Sequence, residues 1–130
     1  MAVNYAQGLD GAASAIGVAV VIDTFRAFTT AAFAQAQGVG GHYLASTVSQ
    51  ARMIAEQHRG ALLCGEVDGI RPEGFDLGNS PAEVLAADLR GRTLVQRTSA
   101  GTRCVIAALG SEATDVYAAS LVVATATALA

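Results

Sequence analysis

At 130 residues, 52% apolar and only 15% charged, the chain can bury one hydrophobic core, so residues 1–130 read as a single domain. A formal charge of −3 with only eight basic residues argues against a nucleic-acid partner, whose phosphates call for clustered cations; the expected partners are small molecules. No apolar stretch approaches the roughly 20 residues that span a bilayer. The opening lacks the basic start of a secretory signal and carries Asp10 before its apolar part, so a cytoplasmic protein with no membrane partner is expected. Cys64 and Cys104 have no metal-ligand spacing and read as buried thiols in a reducing compartment.

Strand and helix patterns alternate from about residue 17 onward. "GVAVVID", Gly17 to Asp23, is a continuous apolar run, as in a strand covered on both faces of a parallel sheet. "RAFTTAAFAQAQG" predicts a helix with Ala27, Thr30, Ala31 and Ala34 on its buried side and Gly38 at its end. "HYLAS" reads as the second strand. "TVSQARMIAEQHRG" reads as a helix capped by Ser46 or Thr47, with Val48, Ala51, Ile54 and Ala55 inward. "ALLCGE" is the third strand. "SPAEVLAADLRG" begins with a capping box, Ser80 to Glu83 with Pro81 in the first turn, and its stripe is Ala82, Leu85, Ala86 and Leu89. "RTLVQRT", "AGTRCVIAALG" and "DVYAAS" supply a strand, a helix and a fifth strand before a closing helical stretch, "LVVATATALA". Its exposed Leu121-Val122-Val123 edge is the feature that would draw a partner, including a second copy of the chain.

Repeated strand–helix units imply parallel strands joined by right-handed crossovers. The expected fold is α/β, a three-layer α/β/α sandwich with a mostly parallel sheet of about five strands. Ligands of such sheets bind beyond the carboxyl ends of the strands, so chemistry is sought in the segments after each strand.

After the first strand, "DTFRAFTT" offers Asp23, Arg26, Thr29 and Thr30. A strand-terminal carboxylate beside a helix N-terminus holds Mg²⁺ or attacks phosphorus; equally, it caps the helix and pairs with Arg26. After the fourth, "QRTSAGTR" surrounds a turn with Arg97, Thr98, Ser99, Gly101, Thr102 and Arg103, donors suited to an anion, though without the Lys of a Walker loop. After the third, "GEVDGIRPEGFDLGNSPAE" holds five of the chain's eleven acidic residues and both prolines. Glu66, Asp68, Glu73 and Asp76 facing one cavity would need a divalent cation, and Mg²⁺ accepts one or two carboxylates at about 2.0–2.1 Å. A solvated acidic loop is the alternative, although its glycines and capping box suggest a fixed shape. His42 and His58 fall in no motif and read as exposed or capping residues, and Tyr5, Tyr43 and Tyr117 as packing or surface residues.

These three segments together resemble the 2-phosphosulfolactate phosphatase family, from about Gly17 onward: "VVIDTFRAFTT" is similar to its Ile-Asp-x-x-Arg-Ala-x-Thr-Thr, "GEVDGIRPEGFDLGNSPAE" to its Gly-Glu and Gly-Phe-Asp-x-Gly-Asn-Ser-Pro, and "QRTSAGTR" to its Thr-x-x-Gly-Thr. The resemblance implies Mg²⁺-dependent hydrolysis of the phosphate monoester of a 2-hydroxy acid, such as 2-phospho-3-sulfolactate to 3-sulfolactate and phosphate, with a small anionic ester as partner. Within and beside these motifs we assign roles by side-chain chemistry: Asp23, Arg26 and Asp76 to catalysis, and Asp23, Glu66 and Asp76 to the metal. Thr29, Thr30, Asn79, Ser80, Arg97, Thr98, Ser99, Gly101 and Thr102 are placed on the substrate. Val67 stands where many relatives carry Arg, and the last residues match the family's middle, so a truncated, non-catalytic anion-binding module of the same fold is the alternative.

Overall fold

The structure, a computed structural model, describes residues 2–130. Its elements are α1 (Gly8–Ala13), β1 (Ile16–Ile22), α2 (Ala27–Ala36), β2 (Gly41–Ala45), α3 (Val48–Gln57), β3 (Leu62–Gly65), α4 (Pro81–Ala86), β4 (Thr93–Arg97), α5 (Gly101–Leu109), β5 (Glu112–Ala119) and α6 (Ala124–Leu129), with a 3₁₀ turn at Leu121–Val123. Every expected strand is present and every pairing is parallel, which makes this an α/β fold. The strands form two hydrogen-bonded sheets, β1-β5 and β2-β4-β3.

Side chains make the join between the two sheets. Val21 of β1, Leu44 of β2 and Val116 of β5 pack on Ala27, Phe28 and Val105, so the start of α2 and the middle of α5 bridge the gap. Within the larger sheet, successive residues of β4 face opposite layers. Leu94 packs with Ala34 of α2, Cys64 and Val84 of α4, whereas Val95 packs with Ala45, Ala51 of α3 and Phe75. Helices therefore cover both faces of β4, giving three layers there.

The expected covering of β1 on both faces does not hold. Val21 faces the core, while Ile16, Val18, Val20 and Ile22 are 64%, 64%, 49% and 70% exposed. A continuous apolar run does not reveal whether both faces are covered, and among the described residues no element lies over this one. Leu121 and Val122 are exposed as expected. Among the described residues no helix is long and apolar enough to cross a membrane.

α2 and α3 follow their sequence patterns. Ala27, Thr30 and Ala34 are buried, Gly38 adopts the left-handed φ of +80° that ends a helix, and the Thr47 hydroxyl accepts Gln50 N–H at 3.0 Å. α1, by contrast, has no apolar stripe and was not legible.

α4 departs from its expected stripe. It ends at Ala86, with Ala87 already extended at φ −88°, ψ 150°. The following chain is drawn away to pair with the α2–β2 turn, Gly91 N–H donating to Gly38 C=O at 2.8 Å and Gly40 N–H to Arg92 C=O at 2.8 Å. Val84 and Leu89 are consequently the fully buried residues, and Leu85 is 54% exposed. Leu89→Ala is expected to cost about 2–5 kcal/mol. Leu85→Ala is expected to stay within about 0.5 kcal/mol, the reverse of what one continuous helix would give for Leu85. Urea unfolding of the two variants checks this.

Candidate active site at the carboxyl edge of the strands

Parallel registry brings the strand ends together in two groups. Ala45, Gly65 and Arg97 end β2, β3 and β4 in line, and Ile22 pairs with Ala119 at the ends of β1 and β5. Asp23 follows β1, its N–H donating to Ala119 C=O at 3.0 Å and its Oδ1 accepting Ala27 N–H at 3.2 Å. It therefore caps the start of α2, but makes no ion pair with Arg26. Among the described residues the one ion pair is Arg71–Glu83 at 3.4 Å.

Gly101 brings the first and third segments into contact. A β-carbon at Gly101 would stand 2.6 Å from Ala27 Cβ and 2.7 Å from Asp23 Oδ2, so the Asp23 carboxylate lies against the first residue of α5. A side chain there would separate them. The N-cap of α5 is Ala100, which offers no side-chain cap to the first-turn N–H groups.

The hydroxyls of the third segment are occupied within the fold. Thr98 N–H donates to Thr102 Oγ1 at 2.8 Å, Thr102 N–H to Thr98 Oγ1 at 3.0 Å, and Thr102 Oγ1 reaches Ala45 C=O at 3.1 Å. Thr98 and Thr102 are 1% and 0% exposed and knit β2, β4 and α5 together. Arg97 donates from one terminal nitrogen to Glu66 C=O at 2.6 Å, and its buried Nε has no partner. In the first segment Thr29 Oγ1 donates to Thr24 C=O at 3.1 Å, and Thr30 Oγ1 is buried without a partner, as are Asn79 Oδ1 and Ser120 Oγ.

The acidic middle segment is fixed in shape, as its glycines suggest, but its carboxylates do not share a cavity. Glu66 accepts Ser99 N–H, Ser99 Oγ–H and Gly69 N–H. Asp76 Oδ2 accepts Leu63 N–H at 2.8 Å, near the start of β3 and away from its carboxyl end. Glu83 accepts Gly78 N–H at 2.9 Å and pairs with Arg71, while Ser80 caps α4 by accepting Glu83 N–H at 3.4 Å. The capping box is thus half formed, its reciprocal bond taken by Gly78. Among the described residues no three His, Cys, Asp or Glu side chains gather as a metal cluster, and Asp23, Glu66 and Asp76 are therefore not grouped together. Asp23 alone of these is in contact with the start of α5.

Electrostatics follow the same contacts. Burial raises the Glu66 pKa, but hydrogen bonds from Ser99 and Gly69, with Arg97 nearby, outweigh it and hold the carboxyl below its ordinary value. Burial, then Glu83, pushes the Cys64 thiol up to about 12, so it stays protonated. Cys104 is only partly buried, short of expectation; burial raises it, with Arg103 opposing and Asp23 adding.

Sequence reasoning missed Gln96. Fully buried in β4, it donates through Nε2 to Ala27 C=O at 2.9 Å, and its Oε1 lies 3.0 Å from His42 Nε2. Gln35 Nε2 stands 3.2 Å from the other ring nitrogen. His42 is therefore a link in a polar chain reaching the start of α2, and burial, partly offset by Gln96, lowers its pKa. The only signal was a lone amide inside the apolar "TLVQR". His58 caps the end of α3 and stacks near Tyr43, its ring centroid 4.4 Å away.

A strand-end carboxylate set against the start of a helix, at the carboxyl edge of parallel strands, defines an α/β protein with a polar site at its sheet edge. The sequence model described as 2-phosphosulpholactate phosphatase matches residues 5–130, and the chain belongs to that family. It is 40% identical over 102 residues to the "Probable 2-phosphosulfolactate phosphatase" of Thermotoga petrophila, covering 78% of this chain and 43% of that one. It is 44% identical over 85 residues to the protein so named in Deinococcus radiodurans, covering 65% and 35%. With the Bacillus subtilis protein of that name it shares 30% over 106 residues, covering 82% and 46%. The chain spans less than half the length of these relatives.

Two predictions follow from close approach and from charge. Gly101→Ala overpacks the junction and is expected to cost about 1–3 kcal/mol. Gly65→Ala should cost more, because Gly65 has φ +141° and a β-carbon there would run into the Arg97 carbonyl. Chemical denaturation ranks the pair. For Glu66, a folded pKa below the unfolded one means stability present above the unfolded value and lost as pH falls through the folded value. The stability gap between wild type and Glu66→Gln should therefore be open at neutral pH and close on acidification below about 4, as pH-dependent urea midpoints will read.

Proposed function

We propose that this chain carries the phosphate-ester site of a Mg²⁺-dependent phosphatase acting on the monoester of a 2-hydroxy acid, with 2-phospho-3-sulfolactate as the representative substrate. The supporting observation is the contact between the Asp23 carboxylate and Gly101 at the start of α5. It sets a carboxylate beside backbone N–H groups that favour negative charge, with Arg97 at the end of β4, the strand that leads into α5. The relatives' name supplies the substrate class.

Hydrolysis breaks the ester P–O bond, forms a new one to the attacking oxygen and delivers a proton to the departing alkoxide. In this reading the start of α5 and the Arg97 guanidinium orient the phosphoryl oxygens. The exposed Arg26 meets the substrate's other acidic groups. Mg²⁺ characteristically takes one or two carboxylates and completes its shell with water and substrate oxygens, so Asp23 suits it without the other two acids. When bound, the cation would supply charge neutralisation and a more acidic water.

Because the Thr98, Ser99 and Thr102 hydroxyls bond within the fold, a second reading is a module of the same fold that binds the anion without turnover. Calorimetric titration with phospholactate and phosphosulfolactate, followed by phosphate-release assay of the same sample, separates the two. Release that stops with EDTA and returns with Mg²⁺ is the expected result, whereas binding without release selects the module. Asp23→Asn is expected to abolish Mg²⁺-dependent phosphate release with the urea midpoint nearly unchanged, since asparagine keeps the oxygen that accepts Ala27 N–H. Unaltered turnover would remove Asp23 from the chemistry.

A further inference from the structure

We infer that Glu66 is a positioning residue, latching the loop after β3 to the turn before α5, and that it does not ligate the cation. Both ends of the latch are tight turns. Val67 and Ile70 exchange backbone hydrogen bonds of 2.9 Å in each direction around Asp68 and Gly69, whose φ values of +51° and +82° make this a type I′ turn with the favoured Asp-Gly pair. On the other side, residues 98–100 lead from β4 into α5.

Glu66 spans them with its whole polar inventory. Oε1 accepts Ser99 N–H at 2.6 Å, and Oε2 accepts Gly69 N–H at 2.7 Å and Ser99 Oγ–H at 3.0 Å. The Ser99 hydroxyl in turn accepts Asp68 N–H at 2.8 Å, and the Glu66 main chain exchanges bonds with Arg97: its N–H donates to Arg97 C=O at 2.9 Å, its C=O accepts an Arg97 terminal nitrogen at 2.6 Å. Every partner of the carboxylate is the positive end of a dipole, and a guanidinium lies behind them. A divalent cation on the same oxygens would face those positive ends, whereas the carboxylate neutralises them and leaves Arg97 and the start of α5 held for an anion. Ser99, assigned to the substrate on sequence, has its N–H and hydroxyl committed to this latch.

The effect on anion binding rests on the reading of α5 as the phosphate-receiving helix, so the test separates the two. Glu66→Gln, the milder Ser99→Ala and the double variant are compared by amide hydrogen exchange and by calorimetry with inorganic phosphate at fixed Mg²⁺. Glutamine keeps one acceptor oxygen and turns an N–H₂ toward a donor, so exchange at Ser99 and Gly69 should quicken roughly ten-fold or more while Val95 within β4 is unchanged. Phosphate should bind roughly ten-fold more weakly, and the double variant should lose little beyond either single one. The Mg²⁺ concentration for half-maximal phosphate release should not move. Unchanged exchange at Ser99 and Gly69 overturns the latch. So does a raised Mg²⁺ requirement with phosphate affinity intact, which returns Glu66 to the metal. If the wild-type chain binds no phosphate, the phosphatase reading fails and the latch is judged on exchange and on the coupling between the two side chains.

Discussion

Irregular backbone at a protein surface must still find partners for its N–H groups, and this requirement governs the molecule's most acidic segment. The residues between β3 and α4 contain no helix and little strand, so their amides, those of neighbouring turns and that of Leu63 on the outer edge of β3 lack ladder partners within the sheet. Carboxylates supply them: Glu66 to Ser99 and Gly69, Asp76 to Leu63, Glu83 to Gly78. Each acid thereby fixes a different stretch of chain. Their mutual repulsion is relieved by dispersal over separate donors, and a cation binding all of them is unnecessary.

Most of the fold was legible because its signals are local. The alternation of apolar runs with 3.6-residue periodicity depends on neighbours within a turn or two, and it located all five strands and the long helices. Failures arose where a distant partner decides. Leu85 and Leu89 fit one helical stripe on spacing, yet pairing with Gly38 and Gly40 draws the chain out of the helix, and Leu89 but not Leu85 enters the core. Likewise β1 reads as covered on both faces, because residues that would do the covering leave no mark on its own sequence.

The site divides along the same line. Motif order identified the segments that meet at the strand ends, and Asp23 with Gly101 do meet there. Direction was not legible: sequence spacing fixes how far apart Glu66 and Asp76 are along the chain, not which amide each turns toward. Asp76 reaches Leu63, near the start of β3, because the segment at Leu77 runs parallel to that strand, Gly65 N–H donating to Leu77 C=O at 3.0 Å, and carries Asp76 back along it. Motif membership alone did not reveal that Asp76 is also a backbone partner. Gln96 shows the opposite error, a polar residue passed over because its strand is apolar, although a buried amide must be bonded and its partners lie at the start of α2 and on β2.

These bonds make the site an extension of the core and not an ornament on it. Gln96 ties β4 to the Ala27 carbonyl, Ala27 N–H is capped by Asp23, and Asp23 lies against Gly101, whose neighbour Thr102 is bonded back to β2 at Ala45. Asp23 is half-buried and meets Gly101 by packing alone, but Gln96, Ala27, Thr102 and Ala45 are buried, so loss of Gln96 or Thr102 leaves a backbone carbonyl unsatisfied with no water to replace the partner. The position of the Asp23 carboxylate is therefore set in part by residues away from it, Gln96 and Thr102 among them, both fully buried.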